Sequence, residues 1–275
     1  MAPIQIETVR TEELTMEFFR FGQGKEPLVI LPGLSVRSVL LYADAVAAAY
    51  RLLTDAYTIY VFDRRKDLPS ACSIEDMARD TAAALRALGL RQTALFGASQ
   101  GGMIAMTIAV RHPEIVKKLI LCSTSACMAE AQYRTLDQWV QLAKAGSAAA
   151  LCLAFGEAIY PQQMFAQLRP LLTETANAVT DEELRRFVIL AKGTQGFDLC
   201  GDLDKIACPV LLVGSRDDRV LGFGATEQIV ERLQGRPDFE LHVYDGFGHA
   251  AYDIAPDFKA RMLRFLAAEE QENLT

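Results

Sequence analysis

The sequence predicts an α/β fold in which a mostly parallel sheet carries an inserted block of helices. Three observations lead there. Short apolar runs without a polar face alternate with helical stretches along much of the 275 residues, as strands covered on both faces do. The alternation breaks between about residues 125 and 200, where helical stretches follow one another with no strand pattern. It then resumes, and repeated strand–helix–strand units require right-handed crossovers and a mostly parallel sheet.

Taken in order, residues 4–9 and 14–21 predict a hairpin, because Ile4 and Ile6, then Leu14, Met16 and Phe18, show period-two apolar spacing. Residues 28–31 predict a buried strand ending at Pro32-Gly33. An alanine-rich stretch predicts a helix over 39–53, and 58–62 another strand ending at Asp63. Residues 73–88 predict an amphipathic helix that starts on the capping pair Ser73 and Asp76 and stops at Gly89. Its apolar face holds Ile74, Met77, Ala78, Leu85 and Leu88, and Asp80 falls largely elsewhere. Strands over 93–96 and 118–122 flank a buried helix over 102–110. Helical stretches over 130–145, 148–158, 161–173 and 182–192 form the insert, a cap over 125–200 that divides a core of 1–124 and 201–275. A strand over 209–213, a helix over 226–233, a strand over 240–244 and a helix over 256–268 close the core, and the polar tail 269–273 is expected to fray.

One junction carries chemistry. The strand at 93–96 leads into Gly97-Ala98-Ser99-Gln100-Gly101-Gly102 and then a helix. Strand, G-x-S-x-G, helix is the context of a nucleophile elbow, a turn too tight for large neighbours that projects the serine oxygen from the sheet edge. A serine nucleophile needs a base, and the base an orienting acid. Of three histidines, His112 precedes a proline at a helix end and His242 lies inside a strand. His249 sits on the Gly-rich loop 245–250, just past the last strand, and is the candidate base. In the chain order Ser, Asp, His, the acid falls where the strand ending at Val213 runs into Gly214-Ser215-Arg216-Asp217-Asp218. Asp217 is preferred over Asp218, and at least one of the pair is expected only to bond backbone amides. An oxyanion hole needs two main-chain donors, for which the amides of Gln100 and of Leu34, in the loop after the strand at 28–31, are placed.

The succession Leu31-Pro32-Gly33, Asp63-Arg64-Arg65, Gly97-Ala98-Ser99-Gln100-Gly101-Gly102, Arg111-His112-Pro113-Glu114, Gly214-Ser215-Arg216-Asp217 and Gly246-Phe247-Gly248-His249 resembles the α/β-hydrolase fold superfamily. Within it the chain looks like the small cap-bearing hydrolases that include 3-oxoadipate enol-lactonases, carboxylesterases, meta-cleavage C–C hydrolases and cofactor-free haloperoxidases. The resemblance implies a three-layer fold around an eight-stranded, mostly parallel sheet, and a Ser99–His249–Asp217 triad. The family usually has Asp-x-Arg-Gly-x-Gly after its fourth strand; here Asp63-Arg64-Arg65-Lys66-Asp67-Leu68 has no glycine, a departure in a loop that the resemblance places near the site mouth.

The formal net charge is −7 with both signs interspersed, which argues against a nucleic-acid partner. No run is long enough to span a bilayer, and the N-terminus lacks the order of a signal peptide. The six cysteines form no C-x-x-C pair, so they read as reduced thiols of a cytoplasmic protein, with no metal site expected among so few histidines. The expected activity is hydrolysis of a small, partly apolar carboxylic ester, lactone or thioester through an acyl-enzyme, with no cofactor. The alternatives are C–C hydrolysis of a diketone-like substrate by the same triad and a slow-turnover ligand receptor. The expected partner is a small-molecule substrate, with a second copy of the chain, in a homodimer, as the other candidate. In the cap, Trp139, Leu151, Leu153, Phe155, Ile159, Tyr160, Met164 and Phe165 are candidates for pocket or cap core, and Lys144, Arg169 and Lys192 for carboxylate binding or solvated surface.

Overall fold

The computed structural model describes residues 3–268; the tail expected to fray lies outside them. Eight strands form one sheet in the order β1-β2-β4-β3-β5-β6-β7-β8. β1 (Ile6–Arg10) and β2 (Thr15–Phe21) are the expected hairpin, antiparallel with Val9 opposite Met16. β2 also runs antiparallel to β4 (Tyr57–Phe62). From β4 the sheet continues in parallel through β3 (Glu26–Leu31), β5 (Thr93–Ala98), β6 (Val116–Cys122), β7 (Val210–Ser215) and β8 (Phe239–Tyr244). Every residue of β5 and of β7 is buried, as befits strands with helices on both faces.

The apolar core is split by the sheet into two layers. α2 (Ile74–Ala87), α3 (Gln100–Arg111) and α8 (Phe223–Leu233) cover one face, while α1 (Ala43–Ala49), α9 (Ala251–Ile254) and α10 (Phe258–Ala267) cover the other. Ser73 and Asp76 form the capping box at the head of α2, the Ser73 hydroxyl accepting from the Asp76 amide at 3.1 Å. Asp80 departs from its expected outward position: it is buried and pairs with Arg65 at 3.3 Å. Its burial raises the carboxyl above the ordinary value, since Arg65 compensates only in part.

The helix expected over 39–53 is broken into a 3-10 turn at Val39–Tyr42, α1, and a second 3-10 turn at Arg51–Leu53. Alanine content signals helix propensity but not length. Here the ends are set by tertiary contacts: the Ser38 hydroxyl caps the first turn while donating to Asp63 at 2.6 Å, and Tyr50 and Leu53 turn into the core.

Between β6 and β7, over the stretch expected to form the cap, lie α4 (Glu130–Lys144), α5 (Ala148–Ile159), α6 (Gln162–Ala176) and α7 (Asp181–Lys192). Trp139 of α4, Phe155 of α5 and Phe187 of α7 pack in a row, with ring centroids 4.7 and 6.0 Å apart.

Candidate active site

Only Ser99 separates the end of β5 from the start of α3. Its backbone has φ 52° and ψ −121°, a region that non-glycine residues adopt at a cost of about 1–3 kcal/mol. Four hydrogen bonds hold it there. The Ser99 amide donates to the Cys122 carbonyl at 3.0 Å. The Ser99 carbonyl accepts from the amides of Gly102 at 2.8 Å and Met103 at 3.2 Å, and from the Thr124 hydroxyl at 2.7 Å. The flanking glycines are required by space: a Cβ on Gly101 would stand 2.6 Å from the Pro32 carbonyl oxygen, and one on Gly97 2.6 Å from the Gly102 Cα. Both obstacles are backbone and cannot rotate away. Gly101→Ala is therefore expected to destabilise the protein by about 3 kcal/mol, the upper part of the overpacking range, measurable as a lower urea midpoint.

His249 lies in a 3-10 turn, Gly248–Ala250, beyond β8. Its Nδ1 is 2.8 Å from Oδ2 of Asp218, and the two side chains retain only 3% and 4% of their exposure. The other oxygen, Oδ1, accepts from the amides of Val220 at 2.8 Å and Leu221 at 3.0 Å. Burial alone would raise the Asp218 carboxyl; the charge and hydrogen bond of His249 and the two amides outweigh it, so the group titrates below the ordinary value of 3.8. A carboxylate against Nδ1 fixes that nitrogen as the donor and leaves Nε2 as the acceptor.

Asp217, the residue preferred from the sequence, does not meet His249. Its Oδ1 accepts from the Ser215 hydroxyl at 2.8 Å and the Gly246 amide at 3.0 Å, and its Oδ2 from the Gly248 amide at 3.0 Å. The reason is the turn after β7, closed by the Asp218 amide on the Ser215 carbonyl at 3.3 Å, which faces residue 217 outward and returns residue 218 to the interior. Asp217 instead pins the loop that carries His249. It too titrates below 3.8, because the Ser215 hydroxyl and the Gly248 and Gly246 amides outweigh the effect of burial.

The sign of the resulting pH dependence follows. A carboxyl depressed by folding contributes stability that is full above the unfolded value and lost as pH falls through the folded one. Acid destabilisation is thus expected to set in below about pH 3.8. Asp217→Asn should lower the melting temperature at neutral pH and converge on the parent at low pH, in melting curves taken from pH 6 to pH 2.5.

The loop after β3 passes close over the elbow, where a Cβ on Gly33 would stand 3.1 Å from the Ser99 Cβ. Beneath it lies Arg64, only 6% exposed. Its Nη2 donates to the Pro32 carbonyl at 2.7 Å and to the Gln100 side-chain oxygen at 3.3 Å, while its buried Nε finds no partner. Burial pushes this guanidinium down to about 10. The Gln100 side-chain nitrogen, Nε2, donates in turn to the Leu190 carbonyl of α7 at 2.8 Å. From α7, Arg186 reaches back to the carbonyls of Arg64 at 3.0 Å and Arg65 at 2.9 Å, and to Asp63 at 3.3 Å. The glycine-free segment 63–68 is thus held to the cap by arginine. Sequence reasoning missed both arginines, although the unusual composition of that segment was the available signal.

Ser99, His249, Leu34 and Gln100 line one pocket, whose empty space, open mouth included, is about 460 Å³. Of the cap candidates, Trp139, Phe155 and Ile159 line it. Leu151 packs in the core, and the Tyr160 hydroxyl donates to Asp253 at 3.4 Å. Lys144, Arg169 and Lys192 are exposed and away from it. Among the described residues, none of its lining side chains is acidic or basic except His249.

The comparisons agree on the fold. A RutD protein of Agrobacterium fabrum, whose name gives it as a carbamate hydrolase, is 27% identical over 232 residues, covering 80% of this chain and 86% of its own. The RutD protein of Pseudomonas savastanoi is 27% identical over 266 residues, 92% of this chain and 98% of its own. Among solved structures, the α/β-hydrolase enzyme MGS-M2 from a deep-sea metagenome superposes with a TM-score of 0.85 at 21% identity, covering 98% of this chain and all of its own. The enol-lactonase of Burkholderia xenovorans does so with a TM-score of 0.80 at 16% identity, covering 95% of this chain and all of its own. No helix among the described residues is long and apolar enough to cross a membrane. With its residues 26–256 matching the profile of the α/β hydrolase fold, this chain belongs to that family and is a hydrolase of that fold.

Proposed function

We propose that the protein hydrolyses a small, uncharged, partly apolar acyl substrate (a carboxylic ester, lactone or thioester) through an acyl-enzyme on Ser99. The observation that carries this reading is a buried His249, paired with Asp218, lining the same pocket as a serine held at positive φ. His249 Nε2 takes the Ser99 proton as the oxygen attacks the carbonyl carbon. The amides of Gln100 and Leu34 receive the developing oxyanion, a contribution of about 10²–10³-fold per donor in related chemistry. Asp218 holds the imidazole tautomer and stabilises the imidazolium. His249 then protonates the leaving group, and water, activated by the same imidazole, releases the acid.

Three features support the substrate class. The apolar lining and the absence of ionic side chains besides His249 disfavour a charged acyl group. The limited space favours a short one. The relatives named as carbamate hydrolases add a carbamate ester, which would transfer a carbamoyl group, to the substrates to assay. We place the cap's boundaries near residues 125 and 200, where its two linkers meet, and read the unpaired thiols as those of a reducing cytoplasm.

The test is hydrolysis of aryl esters of increasing acyl length and of an aryl carbamate, run beside Ser99→Ala. Activity that peaks at short acyl chains and vanishes in the variant supports the reading. Activity that survives the substitution rejects Ser99 as nucleophile. Arg64 tests the donors separately. Its guanidinium ties the Pro32 carbonyl to the Gln100 side chain, so Arg64→Met should misplace both amides. A drop in kcat of about 10²-fold, with KM little changed, is expected from a displacement near 1 Å, and steady-state kinetics on the best ester will measure it.

A further inference from the structure

The chain enters the cap just after Ser125 and leaves it before Cys200, and the two linkers cross as a short antiparallel clasp. The Met128 amide donates to the Phe197 carbonyl at 3.2 Å and the Leu199 amide to the Ala126 carbonyl at 2.8 Å. Cys127 and Asp198 face each other between these bonds. They form a non-hydrogen-bonded pair, the kind whose side chains stand closest. At Leu199, with ψ 2°, the chain leaves the extended conformation, and Cys200 opens a 3-10 turn with its amide donating to Oδ1 of Asp198 at 3.0 Å, which brings Cys200 beside the pair. The two sulfurs and a carboxylate oxygen of Asp198 all lie within 4.8 Å of one another. Cys127 Sγ is also 3.4 Å from Oε1 of Gln228 on the core helix α8. Both cysteines are free and half-buried, and Asp198 is exposed, so the group is open to solvent on one side.

A tetrahedral cation with thiolates at about 2.3 Å and oxygens at about 2.0–2.2 Å sets its ligands roughly 3.5–4 Å apart. Small side-chain rotations would bring the three groups to that spacing. Two thiols select a thiophilic ion rather than magnesium or calcium. We propose that Cys127, Cys200 and Asp198 bind a divalent cation of the zinc class, with Gln228 Oε1 as fourth donor, and that the ion clamps both cap linkers to α8. Binding forms two metal–sulfur bonds and releases two thiol protons to solvent, with no change in oxidation state. None of the four residues lines the Ser99 pocket, so the site stands apart from the hydrolytic reading.

Cobalt(II) is the probe. Titrated into the reduced full chain, it should bind one equivalent, with thiolate-to-cobalt charge transfer in the near ultraviolet and the strong visible bands of a tetrahedral ion, both abolished by zinc. Cys127→Ser and Cys200→Ser should each reduce the charge-transfer band. Asp198→Asn, a change at an exposed side chain that keeps the test open if a thiol variant misfolds, should weaken binding by at least about tenfold. A native chain without the charge-transfer band, a band undiminished in Cys200→Ser, or unchanged affinity in Asp198→Asn overturns the proposal.

Discussion

Replacing Ser99 with alanine should lower kcat by about 10⁵–10⁶-fold on any ester the protein accepts, as removal of a nucleophile does when its partners act as a unit. The variant should still fold. The Ser99 side chain makes none of the four bonds that hold the elbow; its backbone amide and carbonyl make them all. The strain at φ 52° belongs to the backbone, so alanine inherits it and glycine releases it. Ser99→Gly should accordingly be as inactive as Ser99→Ala yet more stable by about 1 kcal/mol, in paired urea melts. A glycine variant no more stable than the alanine one would mean that the elbow stores no strain.

The second large effect separates two adjacent aspartates. Asp218→Asn keeps the shape of the buried partner of His249 but lets an amide NH₂ face Nδ1, which inverts the tautomer. By analogy with such substitutions in other serine hydrolases, kcat should fall by about 10⁴-fold. Asp217→Asn removes charge from a side chain that touches neither His249 nor Ser99 and accepts from the Ser215 hydroxyl and two loop amides. It should cost stability, about 1–3 kcal/mol for charge-assisted bonds lost, and at most about tenfold in kcat. Equal losses of activity in the two variants would reject Asp218 as the orienting acid, and the reverse ranking would restore Asp217. Since one position separates the residues, expression, charge and local composition are matched, and the contrast reads geometry.

The parts of this protein that its sequence determined by itself are those encoded between near neighbours. The elbow is legible because Gly97 answers a steric demand from Gly101 and Gly102 within five residues, although Gly101 makes room for the distant Leu31-Pro32 backbone, and the capping box of α2 because Ser73 and Asp76 lie one turn apart. Parallel strands announce themselves as apolar runs because each is covered on both faces. Tertiary structure alone decided where a side chain meets a distant partner. The choice between Asp217 and Asp218 is the rotation of one turn, which either residue type satisfies locally. Arg64 became a buried tie between the Pro32 loop and Gln100 because the cap helix α7 closes over it. Asp80 went inward because Arg65 was there to meet it. Cys127 and Cys200, separated by the whole cap, came together because its two linkers must pass side by side to enter and leave one gap between strands. Backbone sterics act over a few bonds and leave a pattern in the sequence. Desolvated polar contacts are chosen by packing between segments far apart in the chain, and no spacing records them.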